Sequence, residues 1–199
     1  MKEEKRFADT GDALVDLATH FIVACHKCDG KATIMKTGDA WKLKCLSCFH
    51  TEKPGTWYGE SVSYASVKCR ECNEPLQRTS SSVNAWKKIQ MRCLNCGDEC
   101  EYDAHVSRMH FHDGMMCDPV FGLPLLLQDR FRDDTFWAYN YDHLDLLEQF
   151  ISAKLRERGI TPRNTIKKNS SMMSRLPSFI SKAGNRPELL KMIWELKTK

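Results

Sequence analysis

Eight cysteines fall in four C-x2-C pairs, and no other feature of this chain restricts its folding as much. Cys25/Cys28 and Cys45/Cys48 read C-x2-C-x16-C-x2-C, and Cys69/Cys72 and Cys93/Cys96 read C-x2-C-x20-C-x2-C. The two copies share more than cysteines, since AWKLKCLSC ends at Cys48 and AWKKIQMRCLNC at Cys96. A repeat on this scale marks one structural unit used twice.

The compartment decides how such thiols are read. The start MKEEKRFADT has no apolar core of an export signal, and FGLPLLL, from Phe121 to Leu127, is far short of the roughly 18 apolar residues of a membrane span. A cytoplasmic location is therefore expected, where thiols stay reduced and bind metal rather than each other. Each C-x2-C can turn two sulfurs toward one point, and two such knuckles complete a tetrahedron with Zn–S distances near about 2.3 Å. Redox chemistry of the thioredoxin kind would need a βαβ setting that is absent here. Consecutive quartets, each holding one structural Zn2+, are the expected arrangement. Interleaved ligation, with the first and third pairs sharing an ion, is the alternative.

Residues 25 to 96 resemble the zinc ribbons of transcription factor IIB and IIS type. The resemblance implies small three-stranded antiparallel units that bind nucleic acid or RNA polymerase. Gly30 and Gly97 keep the glycine pattern of such ribbons, whereas Phe49-His50 departs from it. Units of about 40 residues bury too little apolar surface to stand alone, so zinc is expected to stabilise them.

Trp41 and Trp86 have two readings, packing of a thin ribbon core or stacking on a base, and packing is the expected one. Lys42, Lys44, Lys87, Lys88 and Arg92 are either solvated strand edges or phosphate contacts. Beyond Cys96 the pattern stops. Cys100, His105, His110, His112 and Cys117 lack paired ligand spacing, and the stretch 101–112 reads as a strand with His110 and His112 facing solvent. No catalytic motif is found, so no enzyme is expected.

From Asp118 the chain turns toward helices. DPVFGLPLLLQ reads as a turn and an apolar strand, and Asn140 is placed to cap a helix from about Tyr141 to Arg158. Leu144, Leu147, Ile151 and Leu155 line one face of that helix, and Gly159 and Pro162 end it. A short helical segment around Met172 to Lys182 is broken at Pro177. Asn185 and Glu188 have capping-box spacing before a last helix bearing Leu189, Ile193 and Leu196. This half resembles a segment of uncharacterised bacterial zinc-ribbon-containing proteins, which implies a bacterial origin and a shared architecture.

The expectation is a small α+β protein, two tandem four-cysteine ribbons of antiparallel β followed by a mainly helical C-terminal region. Its parts are a helical or flexible lead (1–24), ribbon 1 (25–50), a linker (51–68), ribbon 2 (69–100), a β-rich connector (101–139), an amphipathic helix (140–159) and a basic helical tail (160–199).

Charge supplies the functional expectation. Residues 118–150 hold two basic and seven acidic side chains, whereas 151–199 hold twelve basic and three acidic ones, in a chain of net charge +4. Such asymmetry points to DNA or RNA, with Arg156, Arg158, Arg163, Lys167, Lys168 and Arg175 as phosphate contacts. The bland alternative is that acidic and basic segments pack on each other. A zinc-stabilised adaptor of RNA polymerase or another assembly is the rival function, and a metal-dependent enzyme comes behind both.

Overall fold

The computed structural model describes residues 6–82, 85–157 and 171–199, with the side chains of 155–157 outside the description. The chain divides into two units, Met1–Lys53 with Leu125–Lys199, and Pro54–Pro124 between them in sequence.

The first unit opens with strand β1 (Arg6–Ala8), so the expected helical or flexible lead contains a strand instead. Next come β2 (His20–Ala24), β3 (Lys31–Thr37), β4 (Ala40–Cys45) and β5 (Thr51–Glu52), an antiparallel sheet in that order. Alternation explains its faces: Ile34 and Leu43 are fully buried partners, whereas Lys42 and Lys44 point to solvent.

The second unit holds β6 (Ser61–Lys68), β7 (Pro75–Ser82), β8 (Lys88–Arg92), β9 (Glu99–Asp103) and β10 (His105–Arg108). The short hairpin of β11 (Phe111–His112) and β12 (Met115–Met116) follows. Ribbon 2 splits between two sheets, β10-β6-β7 and β8-β9. The single strand expected over 101–112 is three strands, because Ala104 donates to Lys87 O and Met109 to Glu60 O, so that the chain leaves one partner for the next. Ala65, Ile89, Met91 and Tyr102 form the small buried cluster here.

The chain then returns to the first unit. DPVFGLPLLLQ makes isolated bridges, Cys117 with Pro124 and Val23 with Leu125, rather than a strand, and β13 (Gln128–Phe131) pairs with β14 (Asp134–Trp137) after it. Helix α1 (Tyr141–Ser152) starts at Asn140, whose Oδ1 accepts from His143 N at 2.9 Å while Nδ2 donates to Leu17 O and His20 O, both at 2.9 Å. One buried amide thus caps the helix and ties it to the strand before ribbon 1. Leu144, Leu147 and Ile151 are buried as expected, but the helix ends at Ser152, not Arg158. Leu155 belongs to β15 (Leu155–Glu157), which pairs in parallel with β1, Phe7 opposite Arg156. Gly159 and Pro162 lie outside the described residues.

A 3-10 turn (Met173–Arg175) and α2 (Ser178–Ser181) flank Pro177, and α3 (Arg186–Lys197) buries Leu189, Ile193 and Leu196. The capping box does not form, because Asn185 Nδ2 donates to Phe179 O at 2.9 Å and its side chain makes no cap. The core of this unit joins Phe7, Ile22, Phe136, Leu144, Ile151 and Leu189, and Phe131 stacks on Phe179 at 5.3 Å. No helix among the described residues is long and apolar enough to cross a membrane.

Candidate metal centre

Each cysteine pair sits where a strand turns back on itself, and the four turns follow one scheme. Cys25 N donates to Gly30 O, Cys45 N to His50 O, Cys69 N to Glu74 O and Cys93 N to Asp98 O, at 2.8–2.9 Å. One residue past the second cysteine, every turn passes through the left-handed region: Asp29 (φ 56°), Phe49 (59°), Asn73 (61°) and Gly97 (79°). Gly30 is required for a different reason. A Cβ there would fall 2.8 Å from Ser47 Cβ and 3.2 Å from Cys28 Sγ, so the two knuckles of ribbon 1 could not approach. Strand β3 pairs with both β2 and β4, placing Lys31 opposite Ala24 and Ala32 opposite Cys45, which brings these knuckles together.

Their sulfurs form two groups, Cys25/Cys28/Cys45/Cys48 and Cys69/Cys72/Cys93/Cys96, each with all Sγ atoms within 4.8 Å of one another. The groups are drawn from consecutive pairs, so the interleaved alternative falls. Cys25–Cys48 is 3.8 Å, and Cys28–Cys45, Cys69–Cys96 and Cys72–Cys93 are each 3.6 Å. A tetrahedron with metal–sulfur bonds of about 2.3 Å has edges of about 3.8 Å, so the donor set fits zinc. Backbone donors are aimed at the sulfurs as well: Lys27 N lies 3.4 Å from Cys25 Sγ, and Ser47 N and Cys48 N lie 3.3 and 3.4 Å from Cys45 Sγ.

The thiols are not equivalent. The Cys48 and Ser47 amides bring Cys45 down to about 6, and the Asn95 side chain with the Glu74 backbone brings Cys72 down to about 7. Cys28 is pushed up to about 12, the favourable Gly30 amide being outweighed by Cys48, burial, Cys45 and Cys25. Cys96 rises to about 12 despite the Asp98 amide, through burial and its three sulfur neighbours. Four thiolates in one small volume repel each other, and a dication at the centre is what would let all four ionise.

The remaining sequence candidates lie elsewhere. Cys100 Sγ donates to Asp98 at 3.2 Å, Cys117 is buried, and His105 is an exposed residue of β10. His110 packs edge-on against Trp57 at 5.5 Å, and His112 lies 3.0 Å from both Glu60 and Asp113. His110 is exposed, as expected, whereas His112 is half-buried rather than solvent-facing. Trp41 is half-buried against Phe21 at 5.3 Å, but Trp86 is 44% exposed and not part of a core.

Of the basic candidates, Lys42, Lys44 and Lys87 are exposed, while Lys88 pairs with Glu101 at 3.1 Å and Arg92 with Glu99 at 4.0 Å. Arg175 is exposed; Arg158, Arg163, Lys167 and Lys168 lie outside the described residues, as does the side chain of Arg156. Part of the C-terminal basic charge is met by acid, Lys197 by Glu148 at 2.6 Å and by Asp145, whereas the C-terminal acid Glu188 is itself taken by Arg132 at 3.0 Å. Sequence reasoning missed one cluster, His26, His50 and Glu52, whose ligand atoms lie within 4.8 Å of one another. Its signal was available in the C-H-x-C of the first knuckle and the C-F-H-T-E after the second.

Fold and site together define a small β-rich protein with a C-terminal helical region and two four-cysteine groups that fit tandem zinc ribbons. No protein-family model matches the chain, and no curated protein or solved structure matches it.

Proposed function

We propose that the protein is a non-catalytic nucleic-acid-binding protein of the bacterial cytoplasm, each four-cysteine group holding one structural Zn2+. The zinc ions would act as cross-links, fixing knuckles whose own apolar cluster is small. The observation that carries the binding reading is a groove of about 910 Å³ in the second unit, lined in part by Trp57, Ser61, Lys87, Ser107, Arg108 and His110. Trp57 is held by its Nε1 donating to Glu60 O at 3.0 Å, and the Arg108 guanidinium lies 4.9 Å from its ring centroid. An anchored indole flanked by cations is the composition of a surface that stacks bases and neutralises the backbone beside them.

Fluorescence titration with single-stranded DNA and RNA tests this. Trp57→Ala should weaken binding by about 5- to 150-fold, the range of about 1–3 kcal/mol per stacked base. Absence of salt-sensitive binding by the wild type to any DNA or RNA would remove the reading.

A protein-adaptor reading is favoured by a different observation. The tips of both second knuckles are apolar and open, Leu46 at 56%, Phe49 at 78% and Leu94 at 97% exposure. Such tips suit a protein partner such as RNA polymerase better than a phosphate backbone. Replacing Leu46 and Leu94 by Ser together should leave nucleic-acid binding unchanged and abolish capture of a purified polymerase, if that is the partner.

A further inference from the structure

We propose that His26, His50 and Glu52 form a separate, exchangeable site on ribbon 1 for one divalent transition ion. The three side chains come from the first knuckle, the exit of the second knuckle and β5. Their convergence is fixed by backbone: Cys45 N donates to His50 O at 2.8 Å, and Glu52 pairs with Leu43 across the sheet. Both imidazole Nε2 atoms face the same carboxylate oxygen, Glu52 Oε2, His50 at 3.1 Å and His26 at 3.6 Å. The rings meet edge to face, at 84° with centroids 5.0 Å apart, so they are neighbours without stacking on one another. An ion bound at about 2.0–2.2 Å sets its ligand atoms about 2.9 Å apart in an octahedron and about 3.4 Å apart in a tetrahedron. The observed spacings need only small side-chain rotations to meet either.

Comparison of the two ribbons supports an ion here. Counting from the knuckles, ribbon 2 carries Arg70, Asp98 and Cys100 at the positions of His26, His50 and Glu52. The register is the same, with Cys93 N donating to Asp98 O at 2.8 Å and Cys100 opposite Met91 as Glu52 is opposite Leu43. In ribbon 2 that place contains a permanent cation: Arg70 lies 5.0 Å from the Tyr102 ring centroid and donates to Glu101 O at 3.2 Å. Ribbon 1 replaces that residue with an imidazole and surrounds it with a second imidazole and a carboxylate. Two neutral nitrogens and one carboxylate oxygen select Zn2+, Co2+ or Ni2+ over Ca2+ and Mg2+, which require oxygen. Three protein donors leave coordination positions for water, so this ion exchanges more readily than one held by four sulfurs.

The test uses the full chain with both four-cysteine sites filled by zinc, titrated with Co2+ and followed by native mass spectrometry and visible absorption. One additional ion per chain is expected at sub-millimolar cobalt, with weak d–d bands and no sulfur-to-metal charge-transfer band. Glu52→Gln and His50→Ala should each weaken that ion at least tenfold while the two sulfur-bound zinc ions remain. Because those variants could disturb ribbon 1, imidazole 15N shifts are also recorded in the wild type, where only His26 and His50 should move on addition of Zn2+. No additional ion, a charge-transfer band, shifts at other histidines, or binding unchanged in both variants would each overturn the proposal. Loss of the sulfur-bound zinc in the untitrated wild type would instead overturn the ribbon assignment, since the ions are counted separately.

Discussion

Phe49 and Gly97 occupy the same position in the second knuckles of the two ribbons, both in the left-handed region at φ 59° and 79°. Glycine adopts that conformation without cost, whereas a side chain with a bulky Cβ substituent does not. Phe49 has little burial to offset the strain, being 78% exposed. Phe49→Gly should therefore stabilise the zinc-loaded protein by about 0.5–1 kcal/mol, after the greater chain entropy of glycine is subtracted. Urea unfolding of the two forms measures it, and Gly97→Ala should shift the midpoint the other way.

Metal content separates the two ribbons. Cys25→Ser and Cys69→Ser should each remove one of two sulfur-bound ions, as read by native mass and elemental analysis. Their structural effects should differ, because ribbon 1, with Ile34 and Leu43 buried, lies in the unit that also contains the core of Phe7, Ile22, Leu144 and Leu189, whereas ribbon 2 lies in the unit with the small cluster of Ala65, Ile89, Met91 and Tyr102. Amide exchange should show β8 and β9 fully unprotected in Cys69→Ser, but α1 and α3 still protected in Cys25→Ser. Replacing His110 and His112 together should leave both sulfur-bound ions in place.

Acid should act through His143. This side chain is 2% exposed, burial lowers it to about 4, and its Nδ1 accepts from Tyr139 N at 3.2 Å, which requires the neutral ring. The unfolded chain takes up the proton near pH 6.5 and the folded one only near 4, so stability is full above about 6.5 and falls as pH drops toward 4. The loss attributable to this residue should be about 3 kcal/mol. Stability curves of wild type and His143→Gln, compared over that window, isolate the contribution, and parallel curves would show that His143 does not titrate as stated.

The basic C-terminal segment gives a salt-dependence prediction. If about four phosphates are neutralised, log K should fall against log salt with a slope of roughly −3 to −4. Neutralising Lys167, Lys168 and Arg175 together should flatten that slope and weaken binding at low salt while leaving both zinc ions bound. An unchanged slope would exclude these three residues as phosphate contacts.

What could be read from sequence was what depends on neighbours along the chain. The C-x2-C spacing identified both sulfur groups, and the positions of Leu144, Leu147 and Ile151 identified the buried face of α1. What could not be read depends on partners far away. Leu155 continues the helical period, and only the pairing of β15 with β1 removes it from the helix. Asn185 has the spacing of a cap, but the carbonyl of Phe179 competes for its side chain. Trp86 was expected in a core because ribbon 2 has few large residues, yet Tyr102, arriving on β9, fills that place. His26 and Glu52 become neighbours only when two knuckles and a sheet edge have formed.

The parallel pair of β1 and β15 sets an order of events during synthesis. Its two strands are about 150 residues apart in sequence, and everything between them must leave the ribosome before the pair can close. The second unit, contained within Pro54–Pro124, emerges whole in the meantime and can take up its ion while the first is still waiting for its helices. Ribbon 1 is therefore made early and completed late, and the time it spends without its C-terminal partners is set by the rate of translation.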